Sequence, residues 1–448
     1  MTPGVEEPAV PDERPGPGTP PPDDSASGEG GALEAVAPAQ RLRPGDIFKV
    51  VGPGLITGGA DNDPAGIVTY SVVGAQSGFT QNWVLLLAMP LLIVIQEMCA
   101  RVGNVTKTDL GTALRLHFGR KIATAAILLA VIANVLTIGA DLVMMASVLD
   151  LITGQSFLYF IVPATVTMTV ITIFLDYSAV RKYLLWLVGV FAAYIVSAFL
   201  ANPNWASALR HTVVPSITFN STYFLGAVGL LGTTITPYLF FWQASAEIEE
   251  HRGVQGIRKS NLDVASGMIW SNVTSFFMIV VTATVLHPHN SNVDTAAGIA
   301  QALEPLAGSY AKYLFATGII GAGLLAIPVL AASTAYSVAG LFGWPQGLGH
   351  DIKSAPQFYL VLSAALVVGV QLAVSNVNPV KSLFYSQVLD GLVAPVLIVL
   401  VLMLTSSRTV MGEFVNSRLV KSIGSLAVVV LVLADIAMVY TVATGGLP

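Results

Sequence analysis

Eleven stretches of the chain are long and apolar enough to cross about 30 Å of hydrocarbon at roughly 1.5 Å per residue. Their approximate limits are 51–77, 82–102, 122–150, 157–175, 182–200, 222–247, 264–287, 311–341, 357–375, 380–404 and 420–443. Lipid offers a backbone no water to bond with, so each stretch must satisfy its N–H and C=O groups internally, as a helix. The connections are short and carry Gly, Pro and Asn, as at Asn202, Pro203 and Asn204. An all-α membrane protein is expected, with 11 transmembrane helices in a single membrane domain over residues 45–448. Residues 1–44 differ in kind: they hold 10 of the 25 prolines and no apolar run of signal-peptide length. Such a segment buries too little apolar surface to offset its ordering entropy and is expected to be a disordered cytoplasmic tail.

Lys and Arg concentrate in cytoplasmic loops. With the N-terminus inside, 18 of the 21 basic residues face the cytoplasm, and only Arg210, Lys312 and Lys381 fall outside. The odd number of spans then puts the C-terminus outside. A multi-pass protein of the cell (plasma) membrane follows, with the bilayer as its surroundings. The basic residues are scattered singly and the net charge is -5, which excludes a nucleic-acid partner, and no protein partner is evident. Cys99 stands alone, so there is neither a disulfide framework nor a thiolate metal site.

Two spans are interrupted. The first contains GGADNDPAG, residues 58–66, where Pro64 lacks an N–H and clashes with the preceding turn. Carbonyls near residues 59–61 then lose their helical donors. An aspartate near the bilayer centre costs roughly 2.5–3.5 kcal/mol on insertion scales, so it is kept for a partner, an ion path or a proton relay. Asp63 is read as a cation ligand, flanked by Asp61 and Asn62. The sixth span carries the matching break, GTTITPYLFFWQ from Gly232, with Pro237 among Thr233, Thr234, Thr236 and Tyr238. Five spans separate the breaks, so the second half enters the membrane from the opposite face. That is the pattern of an inverted 5+5 repeat with broken helices 1 and 6 and a site where they meet. Half-helix C-termini and unwound carbonyls suit a cation there.

Further polar residues lie inside apolar spans: Asn134 and Asp141 in span 3, Ser386, Gln387 and Asp390 in span 10, and Asp435 in span 11. Each needs a partner. Gln387 is a candidate oxygen ligand. The loop with Glu247, Glu249, Glu250 and His251 sits beside Arg252, Arg258 and Lys259 and reads as a solvated loop rather than a metal cluster. His287 and His289 lack a third ligand.

The segments GPGLITGGADNDPAG (52–66), TPYLFFWQ (236–243) and SQVL (386–389) resemble the Nramp metal transporters, the natural resistance-associated macrophage proteins, and the likeness runs from residue 47 to about 443. It implies a metal site. Asp63 stands at the family's metal-binding aspartate, Ala60 at a carbonyl ligand, Thr233 at a second carbonyl ligand and Gln387 at the span 10 glutamine. The family's asparagine ligand falls on Gly66, its methionine sulfur on Thr236 and its span 6 histidine on Tyr238. The ligands implied are Ala60, Asp63, Thr233, Thr236 and Gln387, with Asp61, Asn62, Gly66, Tyr238 and Asp141 in secondary or gating roles. Replacing a soft thioether by oxygen suits hard ions such as Mg²⁺ or Mn²⁺, and a cavity with fewer side-chain ligands has room for retained water. The sequence is similar to the Nramp-related magnesium transporters. Typical members move protons through the span 6 histidine, acids in span 3 and bases in span 9. Here only Asp141 has a counterpart, and span 9 has no Arg, Lys or His. Import of the metal down its electrochemical gradient is expected, where two charges across 100 mV are worth roughly 4.6 kcal/mol.

Two other readings compete. The same architecture serves sodium-coupled symporters of amino acids or other small organic solutes, but Asp63 would repel a substrate carboxylate. A membrane aspartyl protease on Asp63 and Asp141 lacks the flanking glycine pattern, so no enzyme and no cofactor beyond the transported ion is expected.

Overall fold

Where the described residues cover the apolar stretches, the chain is helical apart from the two breaks. The computed structural model describes residues 53–174, 191–289, 293–374 and 378–445, all within one compact unit, Phe48–Pro448. The expected tail, residues 1–44, lies outside the described residues. The first half runs α1 (Pro53–Ala60), α2 (Pro64–Ser77), α3 (Asn82–Thr106), α4 (Leu110–Thr153), α5 (Leu158–Phe174), α6 (Phe191–Leu200) and the short α7 (Trp205–Val213). The second runs α8 (Ser221–Thr234), α9 (Pro237–Glu249), α10 (Ile257–Val285), the short α11 (Ala296–Ala300) and α12 (Glu304–Ala307), α13 (Ala311–Phe342), α14 (Pro356–Val374) and α15 (Pro379–Ser406). The short α16 (Arg408–Met411) and α17 (Arg418–Thr444) follow. Eight described stretches are long and apolar enough to cross a membrane, counting α8 and α9 together. Residues 182–190 of the expected fifth span lie outside the described residues, which leave the count of eleven open.

The polar residues between spans have a local task. Asn204, Asn220, Asn378 and Ser417 each cap the helix that follows, their side-chain oxygens accepting from a backbone N–H three residues on. Asp109 does the same for α4 by accepting from the Thr112 N–H. Burial raises its carboxyl above the ordinary range, partly offset by hydrogen bonds from Thr112 and Gln346. Gly119, at φ 78°, interrupts α4, so residues 110–118 lead into the membrane-crossing part at a different angle.

Packing follows the repeat. The broken pair α1 and α2 lies along α10, and the broken pair α8 and α9 lies along α3, the counterpart of α10 in the first half. The same exchange relates α4 to α13, which pack on each other, and the two breaks meet through α2 on α8 and α1 on α9. One apolar cluster fills the bundle around them. Leu426, Val429, Leu433, Ile436 and Val439 of α17 are exposed, as a face turned to lipid tails requires.

Candidate metal site

Both breaks are built alike. Each second half-helix starts with proline at its first position, where the missing N–H costs nothing, and each is preceded by an extended residue: Asp63 at φ -66°, ψ 172° and Thr236 at φ -80°, ψ 127°. The Asp63 carboxylate caps α2, its Oδ1 accepting from the Gly66 N–H at 2.5 Å. Thr236 makes no such cap. Its hydroxyl instead donates to the Thr233 carbonyl at 2.8 Å.

The remaining implied ligands converge here. The Ala60 carbonyl, last of α1, accepts from the Tyr238 hydroxyl at 2.8 Å. A carbonyl oxygen has two lone pairs, so Ala60 and Thr233 can each keep this bond and still face a cation. Thr233 Oγ1 and Gln387 Oε1 are fully buried and have no hydrogen-bond partner. A β-carbon on Gly66 would lie 3.1 Å from each of three oxygens: the Asp61 carbonyl, Asp63 Oδ1 and Thr233 Oγ1. The first break thus abuts the second across residue 66. A β-carbon on Gly232 would come within 1.9 Å of the Gln387 carbonyl, so α8 and α15 touch backbone to backbone and seat Gln387 beside Thr233.

Three expectations are revised. The space left by the family's missing asparagine is not an open, water-holding cavity in this state, because Asp61, Asp63 and Thr233 close around Gly66. Asp61 and Asn62 turn to α10: Asp61 Oδ2 accepts from the Ser271 hydroxyl, and Asn62 donates to Ser271 at 3.0 Å and accepts from Ser275 at 3.2 Å. They anchor the break. The 247–263 segment is also more than a solvated loop. Glu247 is buried and accepts from Gln243, Asn104 and Ser260, while Arg252 pairs with Asp263 at 3.1 Å. Asp263 in turn accepts from the Gly54 N–H, and Thr57 donates to Gln243 at 2.6 Å, so this network ties α1 to α9, α3 and α10. For the anchoring of Asp61 and Asn62, the signal available was the spacing of Ser271 and Ser275, four apart on one face of α10. Asp141 holds the other half-helix, its Oδ1 accepting from the Ala65 N–H at 3.1 Å.

The site residues are buried, with Asp63 and Thr236 at 2% exposure. A cavity of about 160 Å³ beside Val72, Gln76, Thr222 and Phe384 lies near the end of α2 and the start of α15. Another of about 400 Å³, beside Asp109, Ser245, Glu249 and Gln346, lies near the end of α9 and the start of α4. Among the described residues no group of three or more His, Cys, Asp or Glu gathers to hold a metal. The candidate donors are therefore one carboxylate, carbonyls, hydroxyls and an amide, all hard oxygen.

The family profile described as natural resistance-associated macrophage protein-like, Nramp, matches residues 54–441. The chain belongs to the Nramp family. Nramp relatives include the divalent metal cation transporter MntH of Verminephrobacter eiseniae, 27% identical over 419 residues, covering 88% of this chain and 90% of that protein. The MntH of Caldanaerobacter subterraneus subsp. tengcongensis is 25% identical over 401 residues, covering 85% and 90%. The crystal structure of the Eremococcus coleocola manganese transporter superposes with a TM-score of 0.74 at 19% identity, covering 92% of this chain and 91% of that one. At that identity the likeness speaks for the Nramp fold alone.

Proposed function

We propose that this Nramp protein imports a hard divalent cation, Mg²⁺ or Mn²⁺, across the plasma membrane, with its N-terminus inside and C-terminus outside. It is a transporter and not an enzyme. One observation carries the reading: the two breaks present oxygen only, with the Thr236 hydroxyl where the family has sulfur and the Thr233 hydroxyl and Asp63 carboxylate closing together on Gly66. Oxygen donors of this kind hold ions that dehydrate reluctantly. The relatives named as divalent metal cation transporters support the substrate class. The Mg²⁺ branch is the preferred assignment because a threonine, Thr236, stands where the family's methionine sulfur falls.

In this reading the ion enters from the cavity beside Phe384, replaces no protein hydrogen bond at Ala60 or Thr233, and binds Asp63 Oδ2, for which no described residue supplies a donor. Release on the other side requires α1 to part from α9 and α10, which breaks the Thr57 to Gln243 and Gly54 to Asp263 bonds. The inside-negative potential drives import. Uptake of Mg²⁺ and Mn²⁺ into proteoliposomes, compared with Asp63→Asn, tests this. Divalent uptake in wild type only is expected. Amino-acid or other organic solute uptake that needs sodium, with no metal uptake, would instead establish the symporter alternative.

A further inference from the structure

Behind the site lies a second set of buried acceptors, of which only Gln387 belongs also to the site at Asp63. Asp390 of α15 is 1% exposed. Its Oδ2 accepts from the Thr137 hydroxyl of α4 at 3.3 Å, while its Oδ1 has no partner. Three further fully buried acceptors on the same two helices are also bare: Asn134 Oδ1, Asp141 Oδ2 and Gln387 Oε1. Residues 134, 137 and 141 share one face of α4, and 387 and 390 share one face of α15. These two helices pack against each other.

Acceptors without donors call for positive charge. Asp61, Asp63, Asp141 and Asp390 are all buried, and among the described residues no Lys, Arg or His pairs with any of them. One divalent ion at Asp63 balances two of these four carboxylates. A second balances the rest. We propose that Asp390 and Thr137, with Asp141 one turn further along α4 and Gln387 one turn before Asp390 on α15, form a second position for a hard divalent cation. This rests on the proposed function and adds a place where a second copy of the transported ion waits or departs. Gln387 is the shared residue, its amide oxygen lying between the two positions in sequence and free to serve either.

The test counts ions. Equilibrium dialysis of the purified full-length protein at neutral pH, in sodium-free choline buffer, is run with Mg²⁺ alone and with Mn²⁺ alone. Two ions per chain are expected in wild type, one in Asp390→Asn and one in Asp63→Ala. Asp390→Asn keeps the shape and the acceptor for Thr137, and a melting curve reports its fold. Thr137→Val removes a hydroxyl and no charge, and is expected to weaken the second binding event about tenfold while leaving the first unchanged. For Mn²⁺, spin–spin broadening of the electron paramagnetic resonance signal at full occupancy places the two ions near each other, and its loss in Asp390→Asn assigns the second. A wild-type stoichiometry of one, lost in Asp63→Ala and unchanged in Asp390→Asn and Thr137→Val, means that Asp141 and Asp390 carry protons instead. It overturns this inference and leaves the proposed function standing. No ion bound by wild type overturns both.

Discussion

Thr236→Met returns to this site the thioether that typical Nramp members carry, and its effect can be worked out in parts. The substitution removes the hydroxyl that donates to the Thr233 carbonyl at 2.8 Å, a loss of about 1 kcal/mol for one intramolecular hydrogen bond. It also forces a longer side chain into a position only 2% exposed, and overpacking of this sort costs about 1–3 kcal/mol. Stability therefore falls. Against this, one added metal–sulfur contact worth about 1.4 kcal/mol in binding changes relative affinity tenfold. Thr236→Val separates the effects, since it deletes the hydroxyl while holding the shape. Competition uptake of Cd²⁺ against Mg²⁺ in proteoliposomes reads the ratio. The expected result is a Cd²⁺ preference raised about tenfold in Thr236→Met, with Mg²⁺ weakened in both variants and no Cd²⁺ gain in Thr236→Val. If the ratio moves equally in the two variants, or in neither, Thr236 does not face the ion.

Four other outcomes are expected. Asp63→Asn removes one of the calorimetric binding events for Mg²⁺ and for Mn²⁺ while the protein stays monodisperse, and a binding isotherm unchanged from wild type refutes its role as a ligand. Tyr238→Phe removes the donor to the Ala60 carbonyl, lowering stability by about 1 kcal/mol and raising ion affinity by up to about fivefold; unchanged affinity separates Ala60 from the ion. Gly232→Ala sets a β-carbon against the Gln387 carbonyl at 1.9 Å, where backbone on both sides cannot yield as a side chain would. A melting temperature within a degree or two of wild type counts against that close approach. With buried Cys99 replaced, Asn204→Cys reacts with an impermeant thiol reagent from outside intact cells and Lys353→Cys only after permeabilisation; the reverse pattern inverts the assigned topology.

Much of the fold was legible because its causes are local. A run of apolar residues must be helical in lipid whatever surrounds it, and Pro64 and Pro237 end a helix wherever they stand. The two breaks therefore appear where the prolines put them, at α1 with α2 and at α8 with α9. Their equal spacing in spans announced the inverted repeat. Asp63 was identifiable for the same reason, as an acid placed by proline at a break.

The tertiary structure alone decided which groups answer the polar residues at those breaks. Asp61 and Asn62 read as neighbours of Asp63, yet they bind Ser271 and Ser275, some 209 to 213 positions away. Tyr238 occupies the Ala60 carbonyl across 178 positions, and Glu247 is buried under three donors although its loop is rich in charge. Gly66 looked like a vacancy in a ligand set and is instead the point on which the Asp61 carbonyl, the Asp63 carboxylate and the Thr233 hydroxyl close. Periodicity and proline act within a turn or two of their own helix and can be read from neighbours in the chain. A hydrogen bond between helices depends on the rotation and depth of both, which the packing of the whole bundle sets.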